Sequence, residues 1–312
     1  MDTDVIKASL ETAQTAITTA LHQWDTPPIV PPPVIEPTPA PVPAPQPPPP
    51  PPVPAPLTGL QRMQRWVGAQ AVGVYLGIET ADWSMNDFAN RANQFRDTGV
   101  DVAYVKVGEY GTEWYNGNFA AIRQIFLDRG VGCAPYLFCR PETWRGDLAI
   151  AVKMARLTGG VVLDCEEQFV NQGASLYNIV NGTRRAAPDA CIIVSGYGDP
   201  AYAFGPKWPF DAIRDADAYQ PQWYFGVWDA YKQHGYLGAI AWGDGQCADE
   251  FRRCGLGDMF AIQPAVNVEG MDQRDYQGIA ETLRRFQAGI VIWEAQQINA
   301  NIIQQCRHGM GR

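Results

Sequence analysis

The chain has 312 residues, 46% of them apolar, and a formal net charge of -9. That acidic balance argues against a nucleic-acid or anionic-membrane surface, which would need a basic patch, and no run of about 18 apolar residues is present to span a bilayer. Of its 26 prolines, eighteen crowd between Thr26 and Pro56, which leaves Leu57 to Arg312 as the foldable stretch, the usual size of one eight-stranded α/β barrel.

In chain order, residues 1–25 come first. Ile6, Leu10, Ala13, Ile17, Ala20 and Trp24 follow alternating steps of four and three, the seam of a coiled coil. A lone helix of this length is marginal in water, so the pattern predicts a homo-oligomer or a docking partner joined through residues 1–25. Residues 26–56 are too proline-rich for helix or sheet and predict a polyproline II rod, about 100 Å long at 3.1 Å per residue. The domain plan is thus an association helix, a stiff linker over 26–56, and a globular unit over 57–312.

Within that unit, apolar runs alternate with helix-period segments, the signature of βα repeats. Strands are expected at 72–79, 102–109, 132–139, 160–166, 191–196, 218–224, 259–266 and 289–296. Helices are expected at 84–97, opened by a Ser84/Asp87 capping pair, and at 119–129, 147–157, 175–187 and 273–287. Eight strands, each with a following helix, predict an α/β fold: a (β/α)8 TIM-like barrel, with an open doubly wound sheet as the alternative. Gly77-Ile78-Glu79-Thr80 stands where a nucleotide-binding sheet would carry a glycine-rich loop, so no cofactor is implied.

The seven cysteines (133, 139, 165, 191, 247, 254 and 306) form no C-x-x-C pair and mostly sit in strand-like runs, which suits core thiols made in a reducing compartment. Three scattered histidines make no metal cluster. The first residues lack the charged start and apolar core of a cleaved signal peptide. The expected setting is virion-associated or extracellular, reached from the cytoplasm without a cleaved signal.

The stretch Gly160-Val161-Val162-Leu163-Asp164-Cys165-Glu166 carries the chemistry. Alternation puts Val162, Asp164 and Glu166 on one face of a strand otherwise apolar on both, and the carboxyl end of a parallel barrel strand is where catalytic groups gather. A purely structural account would have Asp164 cap the next helix and Glu166 pair with an arginine. Around the same mouth the pattern places Glu79, Glu109, Arg140, Tyr197, Asp199, Gln222, Trp223, Glu269 and Glu294. Trp83, Trp114, Tyr115, Trp144, Trp228 and Trp293 are candidate flat faces for sugar rings. A mouth rich in carboxylates and poor in histidine and lysine suits glycosidic cleavage by a proton-donating acid and a second carboxylate. Glu166, Asp164 and Glu79 are the candidate catalytic residues. Glu109, Arg140, Tyr197, Trp223, Trp293 and Trp114 are the candidate substrate contacts, the partner being a polysaccharide.

Four runs also carry a family likeness: Gly77-Ile78-Glu79-Thr80-Ala81-Asp82-Trp83, Val105-Lys106-Val107-Gly108-Glu109-Tyr110-Gly111, Tyr136-Leu137-Phe138-Cys139-Arg140 and Leu163-Asp164-Cys165-Glu166. Together they resemble the glycoside hydrolase family 25 lysozymes, with their G-I-D-V-S, I-K-A-T-E-G, Y-H-F-x-R and L-D-x-E motifs. The likeness spans residues 72 to 170. It implies a barrel muramidase with Glu166 as general acid, Asp164 as its charged neighbour, and Glu79 where the family has aspartate. Leu137 replaces the family's histidine, and Ile298-Asn299-Ala300-Asn301 has no match to its last aspartate. The resulting expectation is a peptidoglycan hydrolase on an oligomeric stalk, as in a phage structural lysin. The alternatives are a non-catalytic fibre or spike head that binds glycan, and a retaining glycosidase using Glu166 with Glu269.

Overall fold

The computed structural model describes residues 57–68, 71–198, 204–223, 249, 251–256, 261–262, 265–267, 289–293, 298 and 300–309. The expected association helix and proline rod lie outside the described residues. So do the helix over 273–287 and Asp199, Trp228, Cys247, Glu269 and Glu294.

Eight parallel strands form one ring: β1 Val72–Leu76, β2 Val102–Glu109, β3 Gly132–Phe138, β4 Gly160–Asp164, β5 Cys191–Tyr197, β6 Ala218–Trp223, β7 Ala265–Asn267 and β8 Ile290–Trp293. Each pairs with its neighbour in chain order, and β1 pairs with both β2 and β8, so the ladder returns to its start. This closure rules out the open doubly wound sheet. Two short strands lie beside the ring, Thr112–Glu113 running back antiparallel on β2 and Ala261–Ile262 on β6.

The first six strands begin where the sequence places them and the eighth one residue later, at Ile290, but several stop sooner, and the strand expected over 259–266 is described as two short pieces, Ala261–Ile262 and Ala265–Asn267. β1 ends at Leu76 rather than Glu79, because Thr80 donates both its N–H, at 3.2 Å, and its hydroxyl, at 2.8 Å, to the Gly77 carbonyl. That side-chain bond turns the chain into a 3-10 turn, Ile78–Asp82. β4 ends at Asp164, and Glu167–Phe169 form another 3-10 turn.

Five helices pack in the described part of the barrel unit beyond one that precedes β1. That first helix, α1 Gly59–Val67, is not among the expected ones, although Thr58 and Gln61 form a capping box at its start; the others are α2 Met85–Thr98, α3 Phe119–Leu127, α4 Trp144–Thr158, α5 Gly173–Ala186 and α6 Ala300–Gly309. The Ser84/Asp87 capping box forms, with the Ser84 N–H donating to Asp87 at 2.8 Å and the Asp87 N–H to Ser84 Oγ at 3.3 Å. Among the described residues, not every strand is followed by a full helix. After β5 the described chain carries only 3-10 turns, Gly205–Lys207 and Phe210–Ile213, in a segment where Pro206 and Pro209 remove helix donors.

Period-two alternation then builds two cores. Leu76, Val105, Leu137, Leu163, Val194 and Ile292 face out and pack against Phe88, Phe95, Phe119, Phe126, Met154 and Ile179 of the helices. Cys133, Cys139 and Cys165 are buried thiols in this layer, as the sequence suggested. Tyr75, Tyr104, Tyr136, Val162, Ile193 and Val291 face inward. Gly73 makes room for this filling, since a Cβ there would lie 2.4 Å from the Tyr104 ring. Helix α1 closes the floor with Met63, Val67 and Trp66, and the Trp66 indole lies so close to Gly160 that a Cβ would come within 2.5 Å of it.

Asp217, 2% exposed, binds this floor to the wall. It accepts from Arg62 of α1 at 2.8 Å, from Arg184 of α5, and from the Ile192 N–H at 2.8 Å. Removing one member of such a cluster leaves the others desolvated and uncompensated. Asp217→Asn is expected to cost about 3 kcal/mol, a fall of roughly 6–12 °C in Tm for a domain of this size, read by thermal unfolding.

Candidate active site

The inward face of β4 ends in Asp164, with Glu166 two residues further toward the mouth. Asp164 is 2% exposed and caps no helix. Its Oδ1 accepts from Gln222 Nε2, at the end of β6, at 2.6 Å. The same amide nitrogen lies 3.2 Å from Ser195 Oγ on β5, and Ser195 donates to the Gln220 carbonyl at 3.2 Å. Gln220 Oε1 in turn accepts from the Tyr75 hydroxyl on β1. Polar contacts thus link four strands, β4, β5, β6 and β1, giving buried polar atoms partners they would otherwise lack.

Burial raises the Asp164 pKa well above the usual carboxylate range. The charge of Glu166 raises it further, while Lys106 and the Gln222 hydrogen bond pull it back. Glu166, half-buried, is also raised, chiefly by burial, against opposing contributions from Gln222, Arg140 and Lys106 and an added push from Glu167. It makes no close ion pair with an arginine among the described residues. Two adjacent carboxyls thus share one desolvated site in which ionising both is unfavourable.

The remaining site residues group around this pair. Lys106, an inward lysine on β2, pairs with Glu109 at 2.7 Å and lies over the Trp114 and Phe138 rings at 4.8 and 5.2 Å. Arg140 stacks on Phe138 at 4.9 Å and on Tyr110 at 4.7 Å, donates to the Tyr110 hydroxyl at 2.9 Å, and keeps a buried Nε without a hydrogen-bond partner. Tyr110 holds φ at 51°, uncommon for an aromatic residue. With Gly111 it forms a two-residue hairpin whose positive φ angles match a tight antiparallel return. This places the Tyr110 ring, 52% exposed, on the rim. Tyr197 donates to Glu167 Oε2 at 3.2 Å. Trp293 packs 5.0 Å from Tyr75 and 6.3 Å from Tyr136, centroid to centroid.

Glu79 does not end β1. It sits in the following turn, its Oε1 accepting from the Gly77 N–H at 3.0 Å. Its charge still reaches inward, because the Tyr136 hydroxyl, raised mainly by burial, is raised further by Asp164 and by Glu79. Trp223 is described only as backbone at the end of β6. Tyr115 belongs to the outer core, bonded through its hydroxyl to Thr80 Oγ1 at 2.7 Å and stacked on Phe119. Trp83 and Trp144 likewise pack partly buried on that core. Sequence reasoning did not single out Tyr75, Ser195 and Gln220, nor Lys106 and Tyr110 beyond their place in a motif. A lysine inside the apolar run Val102–Val107 was the one visible signal.

No family model matches this sequence, and no curated protein matches it. The likeness is one of fold. The chain is similar to the endo-1,4-beta-mannanase from Rhizomucor miehei, with a TM-score of 0.52 at 9% identity over 78% of this chain and 96% of the other. It is also similar to the endo-beta-1,4-mannanase from Thermotoga petrophila, with a TM-score of 0.51 at 7% identity over 78% and 76%. The alpha-galactosidase TtGalA from Thermus thermophilus gives 0.50 at 10% identity over 81% and 65%. What these comparisons show is the shared α/β barrel fold.

The raised Asp164 carboxyl has a stability cost of definite sign. A folded-state pKa above the unfolded value means that the native chain binds the proton more tightly, so this group's contribution to stability is greatest below about pH 4 and is lost as pH rises past the unfolded value toward the folded one. Asp164→Asn should therefore melt higher than wild type at pH 7, by about 1 kcal/mol or a few degrees. The gain should shrink toward zero at pH 4, and thermal unfolding at the two pH values measures both.

Proposed function

We propose that the barrel is a glycan hydrolase of lysozyme type, acting on peptidoglycan by carboxylate acid catalysis. The observation that carries this reading is the Asp164–Glu166 pair, two carboxyls on one face at the carboxyl end of β4, both raised by burial. A proton donor must reach the glycosidic oxygen. Glu166 is nearer the mouth, where it can reach the substrate, so it is assigned the donor role; Asp164, more deeply buried behind it, shares with it a site in which ionising both carboxyls is unfavourable. Glu79 is the third carboxylate. Arg140, Glu109, Trp114, Trp293 and Tyr197 line the path of the sugar chain, with Trp223 assigned to it from the sequence alone. The family 25 likeness of the four motifs and the fold shared with mannanases and an alpha-galactosidase agree with a glycan substrate. Glu166→Gln keeps shape and removes the proton. It should lower the rate of peptidoglycan clearance at least about a hundredfold while leaving Tm at pH 7 unchanged or slightly raised, since Glu166 is itself raised by burial; clearance at the wild-type rate would refute the assignment.

One observation favours a second reading, a barrel that binds glycan without cutting it. Glu79 replaces the family aspartate, and its carboxyl is engaged by the Gly77 N–H. A wild-type protein that sediments with cell walls yet releases no reducing ends from them would establish that reading.

Residues 1–25 and 26–56 extend the proposal to an oligomeric stalk bearing the barrel, as on a virion. Burying the Leu10, Ile17 and Trp24 seam between copies supplies the association energy, at about 25 cal/mol per Å². Light scattering should find the full chain as an extended oligomer and a chain beginning at Leu57 as a monomer. Two compact monomers would refute the stalk.

A further inference from the structure

The end of the barrel opposite the mouth holds a cavity of about 560 Å³. It lies between α1, the later turns of α3 and α4, and the segments that lead into β4 and β5. Arg62, Arg65, Arg123 and Arg156 line it, with Trp66 on one wall and Asp189 as the single carboxylate among the lining residues. Four guanidinium groups from three separate helices converge here, in a chain whose net charge is -9.

Internal pairing does not account for that convergence. Arg62 is bound to Asp217, but Asp217 also serves Arg184, so one carboxylate answers two cations. Arg156 Nε donates to a neutral acceptor, the Ala186 carbonyl, at 3.1 Å. Arg65 and Arg123 make no ion pair among the described residues, and Arg123 Nε is buried with no hydrogen-bond partner. Like charges gathered at a partly desolvated site repel, and a buried donor without an acceptor costs free energy. A bound anion relieves both. Guanidinium forks fit the paired oxygens of phosphate and carboxylate. The Trp66 indole, held flat by the Gly159–Gly160 backbone, offers an apolar wall beside them. The volume is in the range of small-molecule sites.

We propose that this cavity binds a small oxyanion-bearing ligand, a phosphate ester or polycarboxylate attached to a flat or apolar body, at the floor of the barrel and remote from Glu166. The test uses the full-length protein with inorganic pyrophosphate and with citrate, each compared with sodium chloride of equal ionic strength, by thermal unfolding and titration calorimetry. At least one of the two anions should raise Tm above the chloride control, with affinity falling as salt rises. A response to pyrophosphate alone assigns the phosphate class, and a response to citrate alone the polycarboxylate class. Arg65→Glu and Arg123→Leu should each weaken binding about tenfold or more, with Arg123→Lys, which keeps the charge but loses the fork, falling between. If Arg123→Leu does not fold, Arg65, an exposed side chain, decides alone. Failure of both anions to exceed chloride, or wild-type affinity in Arg65→Glu, overturns the site.

Discussion

The burial of one carboxylate, that of Asp164, sets the terms for the inside of this barrel. A carboxyl at 2% exposure survives in a folded chain only with donors aimed at it or a proton on it. Both devices are present. Gln222 supplies the donor and Lys106 a nearby charge, while Glu166 pushes toward protonation. The donor has its own support: the Gln222 amide also donates to Ser195, which is fixed in turn by the Gln220 backbone carbonyl, while the Gln220 side chain separately accepts from the Tyr75 hydroxyl. Without Ser195 the amide of Gln222 would be freer to rotate away from the carboxylate whose charge it favours.

Below this polar layer the interior becomes aromatic. Tyr75 lies 5.4 Å from Tyr104 and 4.7 Å from Tyr136, centroid to centroid, filling space that smaller residues would leave open. Tyrosine suits the junction between layers because its ring packs in the dry zone while its hydroxyl reaches the wet one. Lower still, the floor is held by Asp217 and its two arginines. The barrel is therefore chemically graded along its axis, with acids at one end, rings in the middle and guanidinium groups at the other. The helices outside pack against a separate set of residues, so the interior gradient can vary without disturbing them.

Much of this could be read from the residues in order. The alternation of Val162, Asp164 and Glu166 against Leu163 and Cys165 fixes which side chains meet at the mouth, because a period of two leaves no other choice. Ser84 with Asp87, and the glycines that end α2 and α4, mark helix limits through local bonds. What stayed hidden depends on distance along the chain or on competition between local bonds. The Arg62–Asp217 contact spans 155 positions, and no local pattern announces it. Helix α1 does carry local signals, a Thr58/Gln61 capping box and Leu60, Met63 and Val67 at helical spacing, but its nine residues follow directly on the proline run and read as its continuation. Glu79 was placed on a strand because the apolar run leads straight to it; the hydroxyl of Thr80 turned the chain three residues earlier. At the mouth, Tyr110 adopts a backbone angle that only the Glu109–Thr112 return explains.

The seating of α1 has a mechanical side. This helix is the first described element of the barrel unit, so tension applied to the chain from its N-terminal direction reaches it before any strand. It would meet Trp66 wedged over Gly160, Met63 fully enclosed and the Arg62 bond to Asp217, three contacts of different chemistry that must yield together for the helix to leave. A load borne this way is passed to β4 and β6, the strands that carry Asp164 and Gln222 at their far ends. Pulling the floor out would also loosen the pair of strands that hold Asp164 and Gln222 in register, so helix α1 and the carboxylate end belong to one stressed path.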